Sequence, residues 1–252
     1  DGGALSYAGA LDLIGRQQAA LLAAGARRGD CMALLSANRA EVWCAGVAAQ
    51  GLGMAVTWLH PMGSLNDHLD QIADAGACVL VVDVPGYRDR GGELATRASG
   101  LRTTLTLGPA DFGQDLLAAA TAAGSAAPRD LAGLDDLAIL NYTGGTTGKS
   151  KGAQRRHRTT VGAVTSILAD FEFPHDPHFL AVAPITHVAG SKVLPTLLAG
   201  GTVHLMRGFD PDRVLSTIAA QRINMTLFVP TMIYVLLDHP ALDRTDLSSL
   251  EL

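Results

Sequence analysis

Three short, almost wholly apolar runs, at 31–35, 54–59 and 78–83, each follow a stretch with helical spacing. Runs of that length and composition read as strands buried on both faces, and their alternation with helices predicts crossover units and a parallel sheet. Leu11, Ile14, Ala19, Leu21 and Leu22 mark the first helix, 7–24, with Ser6 placed to cap it and Gly25 to end it. Asn38 is placed to cap a second helix reaching Gln50, and Ser64 a third over 65–75. Rising charge and glycine content at 85–99 suggests a surface connection, after which 103–107 reads as a strand and 111–123 as a helix.

The same alternation resumes after 124–130, a small, polar stretch broken by Pro128 that reads as a linker. Strands are expected at 137–140, 179–183, 202–206 and 224–229. Helices are expected at 159–169 and 190–198, from Asp210 to Gln221, and from Pro230 to Leu237. The prediction is an α/β fold of two alternating β/α subdomains, 1–130 and 131–252, with mostly parallel sheets flanked by helices. Asp1 opens in mid-phrase and 248–252 reads as the start of another strand, so both subdomains are expected to belong to one larger N-terminal domain.

Composition narrows the function classes. The 252 residues are 48% hydrophobic, enough for a sizeable core, and the formal net charge of -5 argues against a general nucleic-acid binder. No run approaches the ~20 apolar residues of a membrane span, and the first residues do not make a signal peptide. Cys31, Cys44 and Cys78 lack disulfide or zinc spacing and read as small apolar thiols in a reducing cytoplasm. His175 and His178 lie between prolines, and His60 and His68 lack an acid or thiol partner at a recognisable spacing, so neither pair is taken as a metal site.

Chemistry concentrates in Asn141-Tyr-Thr-Gly-Gly-Thr-Thr-Gly-Lys-Ser-Lys-Gly152, which follows the apolar run 137–140. Glycines let backbone N–H groups turn toward a phosphate, hydroxyls add donors and ammonium groups supply charge. The loop is therefore expected to hold the phosphates of a nucleotide. A P-loop needs four residues between its first glycine and Gly-Lys-Ser, whereas Gly144 and Gly148 have three between them. Lys149, Lys151, Arg155, Arg156 and Arg158 form a basic cluster that suits either nucleotide attraction or a solvated helix start.

The string 142–152 resembles the phosphate-binding signature of the adenylate-forming enzymes, which include acyl-CoA synthetases, aryl-CoA ligases, luciferases and peptide-synthetase adenylation domains. It follows the family pattern except at Ser150, where proline is usual and would fix the turn before Lys151. His157 stands where the family often has a histidine at the start of the next helix. Ala183-Pro-Ile-Thr-His-Val-Ala-Gly190 is similar to a second family motif, whose histidine lies beside the acyl pocket. The stretch 224–231 resembles a segment bordering the acyl and CoA channel, and 237–250 is similar in phrasing to acyl-CoA synthetases.

The resemblance implies ATP-dependent activation of a carboxylic acid, most like a fatty acid, to an acyl-adenylate, then thioester formation with CoA. It implies phosphate contacts from Thr143, Gly144, Gly145, Thr146, Thr147, Gly148, Lys149 and Lys151, and a catalytic role for His187. ATP, magnesium and CoA are the expected cofactors and substrates. The adenine-binding motif, the Tyr-Gly-x-Thr-Glu motif whose acid helps hold magnesium, the ribose-binding aspartate and a C-terminal catalytic lysine would lie beyond Leu252. Residues 1–252 by themselves are thus expected to be inactive. Two alternatives stay open: a P-loop ATPase or phosphotransferase, which needs a long helix from about Lys149, and a non-catalytic nucleotide- or acyl-binding module.

Overall fold

The computed structural model describes residues 3–143 and 151–252. In chain order the elements of the first half are α1 (Tyr7–Ala23), β1 (Cys31–Leu35), α2 (Ala40–Gly51), β2 (Ala55–Trp58), α3 (Leu65–Asp74), β3 (Ala77–Val82), α4 (Val84–Arg97), β4 (Thr103–Thr106), β5 (Gln114–Asp115) and α5 (Leu116–Ala122). The second half continues with β6 (Leu137–Thr143), β7 (Lys151–Arg156), α6 (His157–Asp170), β8 (His178–Ala181), α7 (Gly190–Leu198), β9 (Thr202–Leu205), α8 (Pro211–Gln221), β10 (Met225–Thr226) and α9 (Pro230–Leu237). The chain divides into one unit of 1–36 and 40–160 and another of 37–39 and 161–252. Among the described residues no helix is long and apolar enough to cross a membrane.

The first unit is built on a seven-stranded sheet in the order β5-β4-β3-β1-β2-β6-β7. Its strands are parallel except β7, which runs antiparallel to β6. Strand β1 is fully buried along its length and β3 nearly so, as their apolar composition requires of central strands covered on both faces. Helices form where caps and apolar faces agree. The Ser6 hydroxyl accepts the Gly9 N–H at the start of α1, and Ser64 and Asp67 make a reciprocal capping box on α3.

Four expectations need correction. The stretch 85–99 is not a surface connection but belongs to helix α4, kinked at Tyr87, because fully buried Leu94 and nearly buried Val84 tie it to the core. Burial of an apolar face outweighs the poor helix propensity of its glycines. The helix expected from 111 begins only at Leu116. Before it, Gln114 and Asp115 pair with β4, and the Asp115 carboxylate caps the helix by accepting from Leu117 N and Ala118 N.

The 124–130 stretch does not run free: the Gln18 side chain donates to Arg129 O at 2.8 Å and accepts from Arg129 N at 2.6 Å. Strand β6, expected beyond a division at 130, pairs with β2 in the first sheet, and the two units part near 160. Finally, 151–156 forms a strand that alternation does not reveal. It is the outermost strand of the sheet, where charged residues are tolerated because one edge and most side chains face solvent.

The second unit holds a three-stranded parallel sheet, β10-β8-β9. Phe179, Leu180 and Ala181 of β8 are buried, and α8 adds Val214, Leu215 and Ile218 to the apolar core. The expected strand at 224–229 shortens to Met225–Thr226, while Asn224 works through its side chain. Its Oδ1 accepts from His178 N at 2.7 Å and its Nδ2 donates to Asp176 O at 2.9 Å.

Candidate functional site

The phosphate-loop signature begins on β6 and ends on β7. Thr143 faces Lys151 and Tyr142 faces Gly152 across the antiparallel ladder, so the two ends of the signature are strand partners. Residues Gly144, Gly145, Thr146, Thr147, Gly148 and Lys149 lie outside the described residues. The ladder puts Thr143, paired with Lys151, at the carboxyl end of β6, a strand parallel to β2, and that is the edge where open parallel sheets bind ligands.

Side chains brace this frame. The Tyr142 ring is buried beside Gly152, where an added Cβ would come within 3.1 Å of the ring carbons and 3.2 Å of the phenol oxygen. The phenol donates to the Asp74 carboxylate at 2.6 Å, tying β6 to the end of α3. Burial first, and the Asp74 carboxylate second, push the Tyr142 pKa up, so the phenol stays protonated and keeps donating. An aromatic residue at one end of the signature and a glycine at the other thus serve packing.

The basic cluster divides by its partners. Arg156 donates to Asp135 O, and Arg158 pairs with the Asp135 carboxylate at 2.6 Å. Lys151 and Arg155, two strand periods apart on the same face of β7, make no ion pair among the described residues, and both are exposed. That is a suitable donor set for an anion. A P-loop, by contrast, passes from its strand directly into a helix. Here 151–156 is a strand and the helix begins at His157, so the alternative P-loop reading loses its structural requirement.

His187 belongs to the second unit, in the turn between β8 and α7. Its Nδ1 is 2.8 Å from the Thr186 hydroxyl, its backbone N–H donates to Pro184 O, and its carbonyl accepts from Gly190 N. Gly190 is required by close approach, since a Cβ there would lie 1.9 Å from Ile185 O. The turn is clamped by Asn38. Its Nδ2 donates to Ala181 O at 3.2 Å and Ala183 O at 3.0 Å, while its Oδ1 accepts from Ile185 N at 2.8 Å. Asn38 is therefore not the expected helix cap. Its amide satisfies three backbone groups of the site, a role that the local pattern before α2 does not signal.

Val188, the residue after His187, enters the wall of a cavity of about 360 Å³ in the second unit. Phe171, Phe173, Phe179, Met225 and Val188 line it together with Lys192, which sequence reading passed over as one residue of an apolar helix. Three residues of the 224–231 stretch, Met225, Thr226 and Leu227, are among its walls. The Lys192 ammonium sits 3.8 Å from the centre of the Phe171 ring, and burial lowers its pKa.

His68 and the His178–His204 pair are engaged structurally, whereas His157 Nε2 is buried with no hydrogen-bond partner among the described residues. His68 Nε2 lies 2.9 Å from His60 O, and His178 Nδ1 lies 3.2 Å from His204 Nε2. Among the described residues no three His, Cys, Asp or Glu side chains converge as metal ligands. Burial pushes the thiols of Cys31 and Cys44 up to about 12, as suits inert core residues.

Comparison with known proteins places the chain in a family. The family described as AMP-binding enzyme matches residues 1–252. The medium/long-chain-fatty-acid–CoA ligase FadD8 of Mycobacterium tuberculosis is 40% identical over 248 residues, covering 95% of this chain and 43% of that protein. Feruloyl-CoA synthase of an Amycolatopsis species is 34% identical over 99% of this chain and 48% of its own length. The chain thus spans about half the length of the curated relatives it matches.

Among solved structures, the amide bond synthetase McbA of Marinactinospora thermotolerans superposes with a TM-score of 0.87 at 29% identity, over 99% of this chain and 49% of McbA. ATP-bound MatB of Rhodopseudomonas palustris gives 0.80 at 32% identity, over 95% of this chain and 47% of MatB. A family match over the whole length, on a sheet whose strands β6 and β7 carry the two ends of the signature, means that this chain belongs to the AMP-binding, adenylate-forming enzymes.

Proposed function

We propose that the protein activates a carboxylic acid of the fatty-acid class with ATP and passes the acyl group to CoA. A carboxylate oxygen attacks the α-phosphorus, the bond to the β-phosphate breaks, and pyrophosphate leaves. The CoA thiol then attacks the acyl carbon of the adenylate, loses its proton and displaces AMP. Such chemistry rests on positioning and on stabilising charge at the phosphates.

The observation that carries this reading is the pairing of Thr143 with Lys151 at the carboxyl edge of the first sheet. Backbone N–H groups and hydroxyls of 143–148, with Lys149 and Lys151, would hold the β- and γ-phosphates and the departing pyrophosphate. His187, fixed by Thr186 and the Asn38-clamped turn, would bound the acyl site. Magnesium, which neutralises the phosphates, would be held by the acid of the Tyr-Gly-x-Thr-Glu motif expected beyond Leu252. Residues 1–252 alone would then be inactive, and a cytoplasmic setting belongs to the same reading.

Acid-dependent exchange of pyrophosphate into ATP by the full-length protein, over a panel of carboxylic acids, tests it. Lys149→Ala and Thr146→Ala should each weaken exchange by about ten- to a hundredfold, as expected for loss of one donor to a charged phosphate. Unchanged exchange in both variants would remove the loop from the mechanism. Normal pyrophosphate release by residues 1–252 alone would disprove the incomplete site.

A further inference from the structure

The cavity that Val188 and Lys192 line has a mismatch between its walls and a simple fatty chain. Phe171, Phe173, Phe179 and Met225 offer an apolar lining, yet Lys192 contributes an ammonium to the same surface. That ammonium has the Phe171 ring for company at 3.8 Å and no carboxylate partner among the described residues. The neighbouring Ser191 hydroxyl carries no charge to balance it and donates to Val188 O at 2.7 Å. Burial already disfavours the charged form of Lys192. An alkyl chain closing over it would remove still more water and return no hydrogen bond.

An anionic group on the ligand reverses that balance, since a charge-assisted hydrogen bond in a partly dehydrated pocket is among the stronger polar contacts. An acid with two carboxylates can give one to activation and keep the second. The ammonium in the wall is then available to the other end of the molecule. We infer that Lys192 selects acids bearing a second carboxylate remote from the one activated, with α,ω-dicarboxylic acids as the substrate class. This rests on the ligase reading above and narrows it: the apolar walls take the methylene chain, and Lys192 with Phe171 holds the distal carboxylate.

The test compares decanedioate with decanoate in the full-length protein, using wild type, Lys192→Met and Lys192→Arg, after checking that all three melt at the same temperature. Wild type should turn over the diacid with a kcat/KM about ten- to a hundredfold above the monoacid. Lys192→Met should reverse the order by losing the diacid and gaining the monoacid, and Lys192→Arg should retain the preference. Equal use of both acids by wild type overturns the assignment. So does a Lys192→Met variant that loses both acids alike, because Lys192 would then hold the reacting carboxylate. Calorimetric binding separates this inference from the reaction it rests on. If no acid is turned over, the ligase reading falls, while equal affinities of wild type for decanedioate and decanoate overturn Lys192 on their own.

Discussion

The phosphate-loop frame is held by main-chain pairing between two strands that are neighbours in sequence, whereas the His187 turn hangs on one amide that arrives from 143 residues upstream. In the first region the backbone ladder of β6 and β7 does the positioning, and Tyr142 and Gly152 only refine it. In the second, two carbonyls and one N–H of 181–185 have Asn38 as their partner. A distributed set of bonds tolerates the loss of any member. A single clamp does not, because its removal strands several buried backbone groups together.

The largest effect therefore belongs to Asn38→Ala. Ala183 O and Ile185 N lose their partner in a buried place while Ala181 O keeps the Met206 N–H, and with partial rescue by water the cost is about 3 kcal/mol of local stability. Hydrogen exchange of the 178–190 segment in the full-length protein should speed up by orders of magnitude, and acid-dependent pyrophosphate exchange should fall with it. Asn38→Asp sharpens the point, since it keeps an acceptor for Ile185 N and loses both donors to Ala181 and Ala183. It should be no better than alanine, and rescue by aspartate would show that the single bond to Ile185 suffices.

Tyr142→Phe is the counterpart in the strand-framed region and should cost much less. The phenol's bond to Asp74 goes to an exposed carboxylate, so its loss is worth about 1 kcal/mol. Exchange of 137–143 and 151–156 should rise modestly. Collapse of the whole hairpin in Tyr142→Phe would place its stability in one side chain after all and erase the contrast with Asn38.

The same contrast explains what could be read from the chain. Parallel strands and their helices were legible because buried apolar runs and caps such as Ser6 and Ser64 act over a few residues. The loop stands out as an expected anion site because its residue types are contiguous. Strand β7 was not, since Lys151-Gly-Ala-Gln-Arg-Arg156 carries no apolar alternation and becomes a strand only by pairing with β6. Asn38 looked like a cap because local pattern cannot see Ala181, and Lys192 looked like one polar residue of an apolar helix because its cavity is assembled from 171–192 and 225–227.

The smallest expected effect is a pH dependence that separates the two units. Burial, chiefly, lowers the pKa of His68 in the first unit and of His204 in the second, with the facing His178 adding to the shift at His204. For a base held neutral in the native state, the unfolded chain takes up the proton first. Stability is then full above the ordinary histidine pKa of roughly 6.5 and drains away as pH falls through it toward the lowered native value. At His178 and His204 the 3.2 Å nitrogen pair accommodates one N–H between two rings, and protonating both sets two donors and two charges against each other. Hydrogen exchange of 178–181 and 202–205 should accordingly rise between pH 7 and 5, as should that of 60–75 around His68. His204→Gln should flatten the first response and leave the second intact. An undiminished acid response at 178–205 in that variant would assign the pH sensitivity of this unit to groups other than the histidine pair.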